Sequence, residues 1–86
     1  MRSVKFEQSA YKDYCQWAVI NPKIAEKIAG LLEDIEQTPF KGKGKPEPLK
    51  HHYSGYWYRR ITHEHRLVYK VNDEIIFVAN CRGHYS

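Results

Sequence analysis

The first half of the chain carries apolar residues at a helical period. Ser9 is a suitable N-cap for a first helix, and Asn21-Pro22 supplies the N-cap and the first position of a second helix. The second helix is expected to end by Thr38-Pro39. The predicted apolar stripes are Tyr11, Tyr14, Cys15 and Ala18 on the first helix and Ile24, Ile28, Leu31, Leu32 and Ile35 on the second. Because their connection is short, the two helices are expected to form an antiparallel hairpin.

Alternation with a period of two predicts one strand before the helices and three after them. The first strand covers residues 2–7, and the later strands cover residues 56–61, 65–71 and 74–81. Asn72-Asp73 is typical of a tight turn between the last two strands. The order βααβββ predicts an α+β fold, in which a small antiparallel sheet packs one face against the helix hairpin. A chain of 86 residues supports one such core, so residues 1–86 are expected to form a single domain.

Arg66 lies on the strand face opposite the apolar residues of its own strand, so it is expected to face solvent or a ligand. Its cross-strand neighbour depends on the turn. A two-residue turn at His63-Glu64 would place Ile61 opposite Arg66, whereas a three-residue loop would place Arg60 there. Two adjacent arginines repel each other unless an anion lies between them, so the second register itself implies a phosphate site. The pattern leaves both registers open, and it also permits an unengaged Arg66 in solvent.

The formal net charge of +4 is distributed unevenly along the chain. Residues 1–38 have a net charge of −1, whereas residues 39–86 have a net charge of +5. All five histidines and five of the seven tyrosines also lie in the second half. Basic residues interspersed with aromatic residues favour nucleic-acid binding, because cations neutralise phosphates while aromatic rings stack on unpaired bases. The alternative is a solubilising basic surface over an aromatic core.

Glu47 is the single carboxylate of the segment 41–50, which also contains four lysines. Pro46 and Pro48 flank it, and their fixed φ angles limit the directions that its side chain can take. The glycine and proline content of the segment predicts a loop rather than the interior of a helix or strand. A carboxylate of restricted direction among cations is suited to act as a general base beside a polyanion.

The remaining sequence offers few ligands for a cofactor. His51-His52, His63-x-His65 and Cys81-x-x-His84 do not reproduce a recurring zinc spacing, and no acidic cluster could hold paired magnesium ions. Gly42-x-Gly44 lacks the spacing of a Walker A loop, which argues against a nucleoside triphosphate. We therefore expect neither a metal nor a cofactor.

The cellular setting is predicted from two further features. Cys15 and Cys81 fit no disulfide framework, so both are expected to be buried, reduced thiols. The sequence contains no apolar run long enough for a membrane span and no signal segment. A cytoplasmic protein without a membrane partner is the expectation.

Phosphodiester cleavage without a metal needs a nucleophile that the substrate already carries, and the 2′-hydroxyl of RNA is such a group. The protein must then supply a base, an acid for the 5′-oxygen and cations for the crowded phosphorane. Glu47, His84 and Arg66 are of the appropriate types, although their spacing alone does not bring them together. A histidine so near the chain end is also consistent with a frayed terminus.

Several motifs within residues 38–85 have the order and spacing of one known family. They are Thr38-Pro39-Phe40, the run from Gly42 to Lys50 (GKGKPEPLK), Ser54-Gly55, Trp57, Arg59-Arg60-Ile61, the run from His65 to Tyr69 (HRLVY), and Cys81-Arg82 with His84-Tyr85. In these motifs the chain resembles the Txe/YoeB toxins of the RelE superfamily. The resemblance implies a RelE-like microbial ribonuclease fold and the toxin of a type II toxin–antitoxin pair. It also implies an endoribonuclease that cleaves mRNA in the A site of the 70S ribosome and thereby inhibits translation.

The resemblance further implies roles for single residues and partners. Glu47 would be the general base, Arg66 would stabilise the transition state, and His84 would be the general acid. The residues implied to contact the substrate are Lys50, Arg60 and Tyr85. A YefM-like antitoxin and a second copy of the chain, in a homodimer, are the implied protein partners. The alternatives are a non-catalytic RNA- or ribosome-binding module that blocks translation by occupancy, and an inert partner-binding domain.

Overall fold

A computed structural model of the chain describes residues 1–84. Its helices are α1 (Gln8–Ile20) and α2 (Pro22–Gln37). Its strands are β1 (Ser3–Phe6), β2 (Glu47–Pro48), β3 (Trp57–Arg60), β4 (Arg66–Val71) and β5 (Ile75–Asn80), and a 3₁₀ helix covers His51–Tyr53. The two helices and the strands β1, β3, β4 and β5 confirm the predicted elements. The short strand β2 is an addition, because the proline and glycine content of its segment predicts only a loop.

The five strands form one sheet in the order β1-β5-β4-β3-β2. Successive strands from β2 to β5 pair antiparallel, as their connections predict. The sheet is mixed rather than wholly antiparallel, because β1 pairs with β5 in parallel and places Ser3 opposite Ile75. The helix hairpin supplies the long connection that a parallel pair of strands requires.

Helix α2 packs on the sheet through the face that its sequence predicts. Ile28, Leu31 and Ile35 are buried, and Ile24 and Leu32 lie partly buried against the same core. The sheet contributes to this core through one of its faces, with Ile61, Leu67, Tyr69, Ile76, Val78 and Cys81. The other face carries no helix, and it is the face on which the candidate site lies.

Helix α1 packs through a different face from the one predicted. Ala10 and Trp17 are its buried residues, and Tyr14 packs partly against the core. The predicted positions that are exposed instead are Tyr11, Cys15 and Ala18. Both stripes have helical spacing, and the larger apolar area of the Trp17 ring favours its burial over that of Cys15 or Ala18.

The N-cap of α1 is Glu7 rather than the predicted Ser9. The Glu7 carboxylate accepts hydrogen bonds from the Ser9 hydroxyl and from the Ser9 backbone N–H, the latter at 2.8 Å. These bonds lower the pKa of Glu7 from its ordinary value. A carboxylate is an effective cap because it satisfies a free N–H group at the positive end of the helix dipole.

The prediction of two buried thiols is correct only for Cys81. Cys15 is exposed, whereas Cys81 is fully buried in the core. The indole Nε1 of Trp17 donates a hydrogen bond of 3.0 Å to the Cys81 carbonyl oxygen. Burial raises the pKa of the Cys81 thiol to about 12, so this thiol stays protonated near neutral pH.

Arg59 is a fully buried cation at the centre of the connection between α2 and β2. Its guanidinium forms an ion pair with Asp34 and donates a hydrogen bond of 3.1 Å to the hydroxyl of Tyr69. It also donates to the backbone carbonyl oxygens of Thr38 at 2.6 Å, Lys41 at 2.9 Å and Lys43 at 3.1 Å. The hydrogen bond from Arg59 lowers the pKa of Asp34. One side chain thus fixes the path of the lysine-rich segment that leads to Glu47.

Candidate active site

The register between β3 and β4 places Arg60 directly opposite Arg66. The His65 carbonyl oxygen accepts hydrogen bonds from the backbone N–H of Ile61 at 2.9 Å and of Thr62 at 3.2 Å, which closes a three-residue loop. The second of the two predicted registers is therefore the correct one. Both arginines lie on the helix-free face, because Arg59 and Leu67 on the same strands point into the core.

Glu47 joins this face through the short strand β2. It lies opposite Tyr58 of β3, and the Tyr58 hydroxyl donates a hydrogen bond of 2.7 Å to its Oε2 atom. This bond raises the pKa of the Tyr58 phenol, while the nearby charges of Arg66 and Arg60 act in the opposite direction. Tyr58 is thus a protonated donor, and its phenol is influenced both by the Glu47 carboxylate and by the charges of the two arginines.

Sequence reasoning missed Tyr58 as a site residue, although a signal for it exists. Alternation along the predicted strand 56–61 places Tyr58 on the same face as Arg60. What the sequence does not show is that Glu47 lies in a paired strand, and only that pairing brings the phenol against the carboxylate.

Two non-glycine residues near β2 adopt left-handed backbone conformations. Lys45 has φ of 52° and His51 has φ of 60°, a region that residues with a Cβ atom visit rarely. A hydrogen bond also links this segment to β3. The Arg60 backbone N–H donates it to the Gly44 carbonyl oxygen at 2.8 Å. Such outliers persist where the surroundings fix the backbone, and they are common at functional sites.

The guanidinium of Arg66 is held against the β3–β4 loop. Its Nη1 atom donates to the backbone carbonyl oxygens of Thr62 at 2.8 Å, His63 at 3.1 Å and His65 at 3.2 Å. Among residues 1–84, no acceptor takes a hydrogen bond from its Nε or Nη2 atoms. Arg66 is therefore fixed in direction and keeps N–H groups that can bind an anion.

The C-terminal segment runs alongside Arg66. The Gly83 carbonyl oxygen accepts a hydrogen bond of 2.9 Å from the Arg66 backbone N–H, and the Gly83 N–H donates one of 2.9 Å to Nδ1 of His65. His84 follows directly as the last described residue and is exposed. The structure thus places His84 one residue beyond an anchor on Arg66, rather than in a detached tail.

The predicted substrate-contacting residues have different positions. Arg60 is exposed on the site face, opposite Arg66. Lys50 is exposed just beyond β2, and within the described part of the chain its side chain forms no hydrogen bond or ion pair. Tyr85 lies outside the described residues.

Val68 lies beneath the candidate site, on β4 opposite Tyr58. This side chain is fully buried but does not belong to the core between the sheet and the helices. A bulge in the pairing with β5 places Asn80 opposite Val68, and the Asn80 side-chain amide donates a 3.3 Å hydrogen bond to the Arg66 carbonyl oxygen. Bulges of this kind redirect side chains next to functional sites.

Comparison with known proteins identifies the family of this chain. The model of the YoeB-like toxins of bacterial type II toxin–antitoxin systems matches residues 6–85. The chain belongs to this family. It is 51% identical to Toxin YoeB of Escherichia coli strain K12 over 80 residues, which cover 93% of this chain and 95% of that protein. The chain is thus the toxin of a type II toxin–antitoxin pair.

Solved structures of YoeB proteins have the same fold. The YoeB dimer of Staphylococcus aureus superposes with a TM-score of 0.93 at 42% identity, over 98% of both chains. YoeB in the YoeB–YefM complex of the same organism superposes with a TM-score of 0.91 at 43% identity, over 99% of both chains. The RelE-like fold that the motifs imply is therefore confirmed. No helix within residues 1–84 has the length and hydropathy needed to cross a membrane.

Proposed function

We propose that this YoeB-like toxin is an endoribonuclease that cleaves mRNA in the A site of the 70S ribosome and so inhibits translation. The observation that carries the proposal is that Glu47 and Arg66 share the sheet face without helices, while Gly83, the residue before His84, is hydrogen-bonded to the Arg66 backbone. A base, a cation and an acid in neighbouring parts of the structure match what attack by a 2′-hydroxyl requires.

In the proposed reaction, Glu47 accepts the proton of the 2′-hydroxyl while the 2′-oxygen attacks the adjacent phosphorus. Arg66 stabilises the negative charge of the pentacoordinate phosphorane through its free N–H groups. The bond from phosphorus to the 5′-oxygen then breaks, and His84 donates a proton to that oxygen. The products are a 2′,3′-cyclic phosphate and a new 5′-hydroxyl end, and in the proposed reaction the proton transfers and the charge stabilisation are assigned to side chains of the protein.

Other residues of the chain position this reaction. Tyr58 donates a hydrogen bond to Glu47 and so fixes the direction of the carboxylate. Arg60 lies opposite Arg66 and adds a second positive charge beside the reacting phosphate. Lys50 and Tyr85 complete the proposed substrate contacts, Lys50 as a phosphate ligand and Tyr85 as an orienting residue.

The proposed partners follow from the relatives. We assign a YefM-like antitoxin, because a related YoeB is found in a YoeB–YefM complex. A homodimer is supported by the related YoeB dimer. The proposed working unit is thus a single domain of residues 1–86 that dimerises and acts in the cytoplasm.

Glu47→Gln, Arg66→Ala and His84→Gln test the reaction. Each variant is expected to lose about 10²- to 10⁴-fold in the cleavage rate of translated mRNA, measured by primer extension. Lys70→Ala is the matched control for Arg66→Ala, because Lys70 is an exposed cation on the same strand and face. Cleavage at the wild-type rate by all three variants would contradict the assignment. Translation arrest by the wild type without new 5′ ends would favour the non-catalytic binding module.

A further inference from the structure

A basic cavity opens beside the candidate site, at the end of the sheet where β3 turns into β4. It has a volume of about 310 Å³ and lies between α2, the segment before β2 and the β3–β4 loop. Its basic lining residues are Lys27, Lys45, Arg60 and His63. None of the lining residues carries a carboxylate. The cavity therefore concentrates positive charge from three separate parts of the chain.

These basic side chains are unpaired in the described part of the chain. Within residues 1–84, the side chains of Lys27, Lys45, Arg60 and His63 form no hydrogen bond or ion pair. Cations held close together repel one another unless an anion lies between them. The arrangement differs from that of Arg59, whose guanidinium is saturated by protein acceptors.

The backbone of the cavity wall is held in place. Lys45 adopts its left-handed conformation here, directly after Gly44, whose carbonyl oxygen is bonded to the Arg60 N–H. Lys27 projects from the second turn of α2, a regular helix that packs on the core. The basic groups are therefore presented by fixed backbone, which reduces the ordering cost of binding an anion.

The cavity is continuous with the candidate site through Arg60. Arg60 lines the cavity and also lies opposite Arg66 on the catalytic face. A polyanion whose reacting phosphate lies between these two arginines would place a neighbouring phosphate at the cavity. Lysine serves as a point-charge ligand for phosphate, and arginine binds phosphate with two parallel hydrogen bonds.

We propose that this cavity is a second phosphate subsite, which binds a backbone phosphodiester of RNA next to the one that is cleaved. The inference rests on the proposed ribonuclease function and extends it to the length of RNA bound. The phosphodiester comes either from the mRNA or from ribosomal RNA. Continuity with the Arg60–Arg66 pair favours RNA over an acidic protein segment.

Lys27→Ala tests the subsite with the full-length protein. The probe is a short single-stranded 2′-O-methyl RNA, which binds but cannot supply the 2′-hydroxyl for cleavage. We expect a severalfold loss of affinity at low salt and a decrease of about 0.7 in the slope of log K against log salt concentration, the value for one lost phosphate contact. Lys12→Ala is the control, because it removes an exposed lysine from α1 rather than α2. Lys27→Arg is expected to restore the slope.

A second measurement separates the two sources of phosphate. Binding to empty 70S ribosomes is compared for the same variants. A loss confined to the oligonucleotide assigns the subsite to mRNA, and a loss confined to ribosomes assigns it to ribosomal RNA. If Lys27→Ala and Lys12→Ala behave alike in both assays, the subsite is wrong. It is also wrong if Lys27→Ala weakens only the binding of an acidic peptide such as polyglutamate. Cleavage of translated mRNA by the wild type is scored independently, so failure of the subsite and failure of the ribonuclease proposal are distinguishable.

Discussion

Arg59 and Arg60 are consecutive residues of one strand, carry the same charge and have opposite environments. Arg59 is fully buried, and its guanidinium is paired with Asp34, Tyr69 and three backbone carbonyl oxygens. Arg60 is exposed opposite Arg66, and no residue among 1–84 accepts a hydrogen bond from its side chain. Residue type therefore does not decide between a structural and a ligand-binding arginine. The face of the strand decides it, because successive side chains point to opposite sides of a sheet.

The contrast has an energetic consequence. A buried cation is tolerated only when its charge and its N–H groups are fully paired, and removing one partner leaves the other buried and unpaired. An exposed cation makes no such demand and can exchange water for a phosphate. The helix-facing side of β3 is thus suited to stabilise the fold, and the open side is suited to bind anions.

Replacing each arginine by methionine gives the largest expected difference. Arg59→Met leaves Asp34 and several carbonyl oxygens without their donor, so we expect a loss of about 3–5 kcal/mol in the free energy of unfolding. Arg60→Met removes an exposed side chain and should change it by less than about 0.5 kcal/mol. Urea denaturation measures both. Equal stabilities of the two variants would show that the Arg59 network is not a stabilising element.

In catalysis the expected difference is reversed, with a larger loss in Arg60→Met than in folded Arg59→Met. Arg60→Met is expected to lower kcat/KM for translated mRNA by about 10-fold, because it loses a charge-assisted contact to phosphate. Arg60→Lys should recover part of the loss. The measurement is made at a temperature at which the variant is fully folded. An unchanged kcat/KM would remove Arg60 from the substrate-binding residues.

Replacing Tyr58 tests whether a hydrogen bond within the open face is needed to position Glu47. Tyr58→Phe removes the hydrogen bond to Glu47, so we expect about a fivefold fall in kcat with KM little changed. Tyr56→Phe is the control, since Tyr56 lies next to the same strand and makes its contact with Lys70 instead. If the two variants have equal kcat, the bond to Glu47 does not position the base.

The smallest expected effect is on the stability of the protein at acidic pH. Arg59 holds the pKa of Asp34 below its ordinary value, so the stability from this pair is present above the unfolded-state pKa of about 3.9 and is lost as the pH falls through the lower folded-state pKa. The difference in stability between the wild type and Asp34→Asn should therefore shrink on acidification below about pH 4. Glu33→Gln, which replaces an exposed neighbour on α2 outside the Arg59–Asp34 ion pair, is the control. A constant difference over this range would disprove the linkage.

The features that the sequence predicts correctly are those with a local cause. Helix α2 has one dominant apolar stripe, and alternation along β4 predicts the burial of Leu67 and Tyr69, so these positions follow from period alone. Proline clamping marks Glu47 and alternation marks Arg66 as candidates, whereas Arg60 depends on a register that the sequence leaves open. Helix α1 offers two stripes of helical spacing, and only the packing of Trp17 against the β5 end of the sheet selects one.

The features that the sequence does not show depend on pairing between distant segments. The parallel partnership of β1 with β5 joins residues about 70 positions apart, and no local pattern specifies it. Strand β2 forms only because Glu47-Pro48 meets Tyr58 and Trp57 of β3. The contact of Tyr58 with Glu47 follows from the β2–β3 pairing, so it could not be inferred from residue spacing.

The anchor at Gly83 sets the order in which this molecule can be completed during its synthesis. Strand β1 precedes the other strands along the chain, but its strand partner within residues 1–84 is β5, and Gly83, the residue before His84, bonds to Arg66 after β5. A nascent chain emerges from the ribosome N-terminus first. The β1 edge of the sheet and the candidate site therefore both wait until β5 and the segment through Gly83 have left the ribosome.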